Sequence, residues 1–341
     1  MGLRSDAMKA FLPLAAISAL WALSAAGAWG AAAPKPVYGS MAKASLGDGA
    51  NLNGAVSFPA NYVWNQDVSA APVDAHSAAL IAAIGLTTGL HPDFGSGVYD
   101  GAIIGIPYVV VSKSQPLVAI HISPYANESD PGPYPVPPNA PIEGSRPDGG
   151  FFTGDRHVLV IDRDTNRLYE MYAAYPLSDH VWRAQSAAVF HLDSDDPRPT
   201  AKPGWTSADA AGLPIFPGLV RYDEASAGLI AHALRFTVDH TRAAYVPPAT
   251  HWASSSVSPN LPPMGMRVRL KADFDISGFP PEAQVILAAL KKYGLILADN
   301  GSDWYVSGAP DPRWNDDALN TLKRVKGSDF EVVKMDGMVT R

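Results

Sequence analysis

The 341-residue chain contains no cysteine. That excludes a disulfide framework, a thiolate nucleophile, a thiolate metal ligand and a lipid-attachment cysteine. A basic surplus is missing as well, since 26 Lys and Arg against 33 Asp and Glu leave a formal net charge of −7. A dedicated nucleic-acid binder needs cationic side chains to spare for phosphates, so that class is disfavoured. Charge of either sign is sparse, at 17% beside an apolar fraction of 47%, the reverse of the balance that keeps chains disordered. After the N-terminal region no run is long and apolar enough to span a bilayer. Short motifs of high specificity are lacking too: there is no Walker loop, HExxH, nucleophile elbow or dinucleotide fingerprint.

Turn-forming residues, by contrast, are plentiful, with 29 Gly and 31 Pro. They point to strands and loops rather than a helical bundle. At the N-terminus, Arg4 and Lys9 precede an apolar run from Phe11 to Ala28, and small residues follow up to Pro34. This charged, apolar, small-residue order is that of a secretory signal over residues 1–30, with a membrane anchor as the other reading. The mature chain is therefore expected to be secreted or periplasmic, and the absence of cysteine fits bacterial export. Residues 31–56, rich in Gly, Ala and Ser, read as a flexible leader. Residues 57–341 read as one β-rich domain.

Within that domain the hydrophobic periodicity predicts a helix over Ala75–Ile84 and a turn at His91–Gly95. Ile103–Val111 and Pro116–Ile122 read as a pair of strands. The proline-rich stretch 127–150 is predicted to be a loop packed on the surface through Tyr134, Val136 and Ile142. His157–Asp162 and Leu168–Ala173, flanking a polar turn, form the clearest hairpin. Trp182–Leu192, Leu229–Val238, Ala243–Val246 and Met266–Phe274 add strands, and Thr206 or Ser207 is expected to cap a short helix to Gly212. Pro280–Tyr293 is the best helix, with Pro at its start and Lys291 and Lys292 in its last turn. Short strands at Leu295–Ala298 and Trp304–Ser307, a helix from Asp316 to Val325 and a strand at Phe330–Val333 complete the pattern. The fold class expected is mainly β, a β-sandwich or jelly-roll-like body with a few peripheral helices, with mixed α+β as the alternative.

Three constellations carry candidate chemistry. His157 enters the hairpin with Glu170 on the paired strand, where the carboxylate would orient the imidazole as a base. Asp209, Asp223 and Glu224 cluster in the stretch 205–238, and two carboxylates brought to a cleft act as acid and base, or acid and nucleophile, on a glycosidic bond. Arg221, His232, Arg235 and the alternating face of Arg267 and Arg269 would bind an acidic polymer, with His251 and Trp252 as a sugar-stacking surface. Each set has a bland counterpart: a satisfied buried histidine, a helix cap beside a solvated acidic pair, and a solvated strand face. His232, His240 and His251 match no metal-ligand spacing, so neither a metal nor a cofactor is expected.

The phrases FPANYVWNQDVSAAPVD (58–74), ESDPGPYPVPPNAPIEG (128–144), GDRHVLVIDRDTNRLYEMYAAYP (154–176), GWTSADAAGLPIFPGLVRYDE (204–224) and ALKKYGLILADNGSDWYVSGAPDPRW (289–314) together resemble a family of exported bacterial proteins of unassigned function. The resemblance implies export and the company of polysaccharide-processing proteins; it carries no catalytic assignment. The expectation is a secreted carbohydrate-active enzyme that cleaves a polysaccharide, a glycoside hydrolase ahead of a polysaccharide lyase. Catalysis falls to His157, Glu170, Asp209, Asp223, Glu224 and His232, and substrate binding to Arg221, Arg235, His251, Trp252, Arg267 and Arg269. A non-catalytic glycan-binding or cell-envelope protein is the alternative, and the partner in either case is a glycan, with no nucleic acid and no membrane span in the mature chain.

Overall fold

The structure is a computed structural model that describes residues 35–148, 150 and 154–341; the signal expected over residues 1–30 lies outside them. The hairpin is where the sequence placed it. Strand Val158–Asp162 pairs antiparallel with Arg167–Tyr172, in a register that sets Leu159 opposite Glu170 and Ile161 opposite Leu168. Its turn is fixed by Asp162, whose carboxylate accepts from Asp164 N (3.0 Å) and Thr165 Oγ1 (2.7 Å). Short polar side chains that bond the backbone two residues on make such turns self-sufficient.

Around this hairpin runs a five-stranded sheet in the order Ser186–His191, Arg167–Tyr172, Val158–Asp162, Tyr108–Val111, Gly47–Asp48. Both of its faces are buried, and the period-2 alternation of a strand sorts the side chains between them. Leu159, Ile161, Leu168 and Phe190 join the main core. Val158, Val160, Met171 and Ala187 join a second cluster with Trp182, Tyr134 and Val136. The second cluster is roofed by a three-stranded sheet of Tyr175–Ser178, Val181–Ala184 and Ala119–Ile122, and by the proline-rich segment. Tyr134, Val136 and Ile142 are all buried, as their anchoring role requires. Ile103–Val111 and Pro116–Ile122 do supply strands, but in different sheets rather than as a pair.

On its other side the main core meets a six-stranded mixed sheet, ordered Phe330–Val332, Arg267–Leu270, Leu295–Asn300, Leu234–Val238, Tyr305–Ser307, His91–Asp93. Trp304 stacks between Phe236 (5.7 Å) and Phe330 (4.8 Å) in this core. The α-helices among the described residues are short and few: Ser77–Ile84, Tyr222–Ser226, Pro281–Lys292 and Asp316–Asn320. The protein is mainly β with a few helices.

Three expectations are corrected. The stretch 35–56 is no flexible leader. Val37–Tyr38 pairs with Ala55–Val56, Gly47–Asp48 edges the five-stranded sheet, and Met41, Ala44 and Leu52 are buried. Apolar residues spaced among glycines hide this, because the side chains that hold the stretch, Asn166 on Met41 N and Asp223 on Leu52 N, lie more than a hundred residues away. The turn expected at His91–Gly95 is an edge strand, tolerated with Pro92 because its missing N–H falls at an edge. Residues 208–212 make turns rather than a helix. Ser207 Oγ accepts from Asp209 N (2.9 Å) and donates to Leu213 O (2.7 Å), a local alternative to helical bonding.

Candidate active site

The Ser207 turn is the hub of the site. Ser186 Oγ donates to Ser207 O (2.7 Å) and Ala211 N donates to Ala298 O (3.0 Å), so the turn is tied to both large sheets. Gly212 lets it close: φ is +75°, and a Cβ there would meet Thr250 Oγ1 at 2.1 Å. The pinned turn lines a cavity of about 320 Å³. Asp155, His157 and Tyr172 contribute from the end of the hairpin, and Asp299 and Asn300 from the end of a strand of the six-stranded sheet. Tyr125 and His251 stand at the same cavity, His251 with Nδ1 2.7 Å from Ala210 O.

Asp209 is the most constrained of these groups. It is 1% exposed. Its Oδ1 accepts from Arg235 Nη2 at 2.5 Å, whereas Oδ2 has no hydrogen-bond partner. Arg235 is buried as well and donates through Nη1 to Ser307 Oγ (2.7 Å). Burial pushes the Asp209 carboxyl up to about 7, with Arg235 opposing the shift and Asp299 and Glu170 adding to it. Asp299 is raised in turn by burial, and by Asp155. A bulge brings it there: Phe236 pairs with Leu297 and Thr237 with Asp299, so Ala298 is left over. Extra residues of this kind re-aim side chains at sheet rims.

His157 takes a different partner from the one the strand pairing predicted. Nδ1 lies 2.5 Å from Glu143 Oε2, and Nε2 lies 3.0 Å from Ala208 O. Both ring nitrogens thus face acceptors. Burial resists the imidazolium, but Glu143 and Asp155 outweigh it and push His157 up to about 9. Burial likewise resists the Glu143 carboxylate, and His157 holds it below the usual range. A histidine so engaged is charged near neutral pH and is poorly suited to act as a base.

Glu170 is fully buried on the main-core face, with two backbone donors: Ile215 N (2.9 Å to Oε2) and Phe216 N (2.9 Å to Oε1). Burial pushes it up to about 7 against those bonds. It does not line the cavity. The consequence for stability has a definite sign. Below the ordinary glutamate range folded and unfolded chains both hold the proton. Between that range and about 7 only the folded chain does, so the contribution erodes across this window and is lost above it. For Glu170→Gln we expect a smaller fall in Tm between about pH 5 and pH 8 than in the wild type, by the equivalent of ~3 kcal/mol at most. Equal falls in both proteins would contradict this.

The remaining expected site residues lie elsewhere. Arg221, Asp223, Glu224 and His232 form a separate buried network, the first three of them lining a small cavity of about 30 Å³. Arg221 Nη2 donates to Glu224 Oε2 (2.7 Å), and His232 Nε2 lies 3.0 Å from that oxygen. Leu52 N donates to Asp223 Oδ2 (2.8 Å), so this network clamps the N-terminal stretch. Asp223 and Glu224 therefore do not meet Asp209 across a cleft. Arg267 and Arg269 do not line a groove, because both are buried. Arg267 donates to the carbonyls of Tyr293, Val63 and Gln66, and Arg269 to Ala71 O and Glu331. Their alternation reflects a strand with both faces covered. Trp252 stacks on Tyr245 at 5.7 Å and packs against the main core.

None of the comparisons with known proteins finds a match, whether to a family model, a curated protein or a solved structure. The site therefore rests on its own geometry. Of the expected residues it unites His157, Asp209, Arg235 and His251. Sequence reasoning missed Glu143, Asp155 and Asp299. Glu143 lies within the proline-rich loop, whose length was the one available signal of a binding segment. Asp299 sits in Asp299-Asn300-Gly301, which reads as an ordinary turn.

Proposed function

We propose that the protein is a secreted carbohydrate-active enzyme that hydrolyses a glycosidic bond of a polysaccharide in the cavity around Asp209. The observation that carries the reading is the contrast among its carboxyl groups. Burial pushes the Asp209 carboxyl up to about 7 and one of its oxygens has no partner, whereas Asp155 lies exposed at the same cavity. Pairs of carboxyl groups in unlike environments are how glycoside hydrolases divide the acid role from that of base or nucleophile. In this reading Asp209 protonates the leaving oxygen and Asp155 activates water or attacks the sugar. Arg235 holds Asp209 in place. Tyr125 and Tyr172 offer rings to sugar faces.

Elimination is less well supported. It needs a free base and an unspent guanidinium for the uronate carboxylate. His157 is engaged through both nitrogens, and Arg235, Arg267 and Arg269 are committed to buried partners.

The test is incubation of the purified mature protein with a panel of neutral and acidic polysaccharides, following new reducing ends and the ultraviolet absorbance of unsaturated uronates. Reducing ends without the absorbance are expected. Both signals together would move the assignment to a lyase, and retention of polymer with neither signal to a glycan-binding protein.

A further inference from the structure

Glu143, Asp155 and His157 come together from a proline-rich loop and the start of the hairpin. One ligand atom from each lies within 4.8 Å of the other two. Their arrangement has a feature that an ion pair alone does not require. His157 Nε2 is spent on a backbone carbonyl, Ala208 O, at 3.0 Å. That bond is made by Nε2–H, so the proton an incoming ion would displace is the one between Nδ1 and Glu143, and its loss frees the Nδ1 lone pair for the ion. Histidines that ligate metals are oriented this way, one nitrogen donating to a carbonyl or carboxylate and the other turned to the ion.

The surroundings favour a cation. Glu143 and Asp155 both act on His157, Asp155 acts also on Asp299 and Asp299 on Asp209, and the guanidinium placed among them, Arg235, already pairs with Asp209. Asp209, nine-tenths buried or more, leaves Oδ2 without a partner in the same cavity. Asp155 is exposed, which gives an ion a way in.

We propose that Glu143, Asp155 and His157 Nδ1 form a binding site for a divalent first-row transition ion at the mouth of the cavity. One imidazole and two carboxylates suit Mn²⁺ or Zn²⁺, and they are too hard a donor set for a cuprous ion. Ligands at about 2.1 Å from a shared ion stand roughly 3 Å or more apart. Glu143 Oε2 therefore retreats from Nδ1 by about half an ångström when the ion replaces the proton between them. The inference concerns binding alone and does not depend on the polysaccharide reading; with the ion bound, Asp155 is a ligand and is not available as the base or nucleophile of that reading.

The experiment is calorimetric titration of chelator-treated full chain with MnCl₂ and with ZnCl₂, alongside Asp155→Ala and Glu143→Gln. One saturable site is expected for at least one ion. Affinity should fall at least about tenfold in Asp155→Ala, whose exposed position leaves folding intact as judged by an unchanged Tm. In Mn²⁺-loaded wild type, electron paramagnetic resonance should show the bound-ion spectrum, and it should revert to that of the aqueous ion in the variant. No saturable binding of either ion by the wild type would overturn the proposal. So would binding that Asp155→Ala and Glu143→Gln both leave unchanged. Failure to cleave any polysaccharide would leave both arms of this test intact.

Discussion

Asp209→Asn is expected to lower turnover on the polysaccharide substrate by at least about a hundredfold, the ordinary worth of a positioned general acid. The substitution is nearly isosteric, and its amide oxygen can still accept from Arg235 Nη2, so the cavity should keep its shape. What is lost is the proton. The pH dependence separates this from a binding defect. The acid form of Asp209 disappears as pH rises through about 7, so wild-type activity falls on that limb, and any residual activity of Asp209→Asn should not follow it. Asp155→Asn should cost a comparable factor through loss of the base or nucleophile. Initial rates over a pH series, with Tm recorded for each variant, check both. Full activity in two folded variants would remove the assignment.

Arg235→Met is expected to be the most damaging single change to stability. Arg235 is 3% exposed and satisfies Asp209 and Ser307. Removing it takes the Arg235 donor from the buried Asp209 carboxyl beside Asp299, which then takes up a proton but keeps unsatisfied oxygens, and it leaves Ser307 Oγ without that bond. Breaking a buried pair from one side costs roughly 3–5 kcal/mol. Replacing both partners with apolar groups costs less, because neither buried polar partner is left unsatisfied. The Arg235→Met/Asp209→Leu double variant should therefore be more stable than Arg235→Met alone by denaturant melts. A double variant less stable than the single would show that the pair acts mainly through packing.

The parts of the fold legible in the sequence were those written in local periodicity. The hairpin around Arg163–Asn166 combines β-branched runs with a self-capping Asp turn, and the helix Pro281–Lys292 has its proline, its apolar stripe and its terminal lysines. Partnership at long range was not legible. Tyr108–Val111 and Ala119–Ile122 read as neighbours because they are adjacent in sequence, yet each pairs with strands of a different sheet. Gly-rich residues 35–56 gave no strand signal because their structure is dictated by Asn166, Asp223 and the sheet edge.

The site divides along the same line. His157 and Asp209 stood out as titratable groups in apolar stretches, which is a local property. Glu143 is fourteen positions from His157 across a loop without periodicity, and Asp299 reaches the cavity only because a bulge at Ala298 re-aims it. Arg267 and Arg269 misled for the opposite reason. An alternating basic face looks solvated, but here carbonyls of Val63, Gln66 and Ala71 stand in for water.

The central claim is that Asp209 holds a proton near neutral pH inside the cavity. The most direct measurement is a ¹³C carboxyl NMR titration of the labelled protein, with the Asp209 resonance assigned by its absence in Asp209→Asn. A midpoint near 7 is the predicted result. A midpoint in the ordinary aspartate range, about 4, would mean that Arg235 outweighs burial and that Asp209 is not the acid.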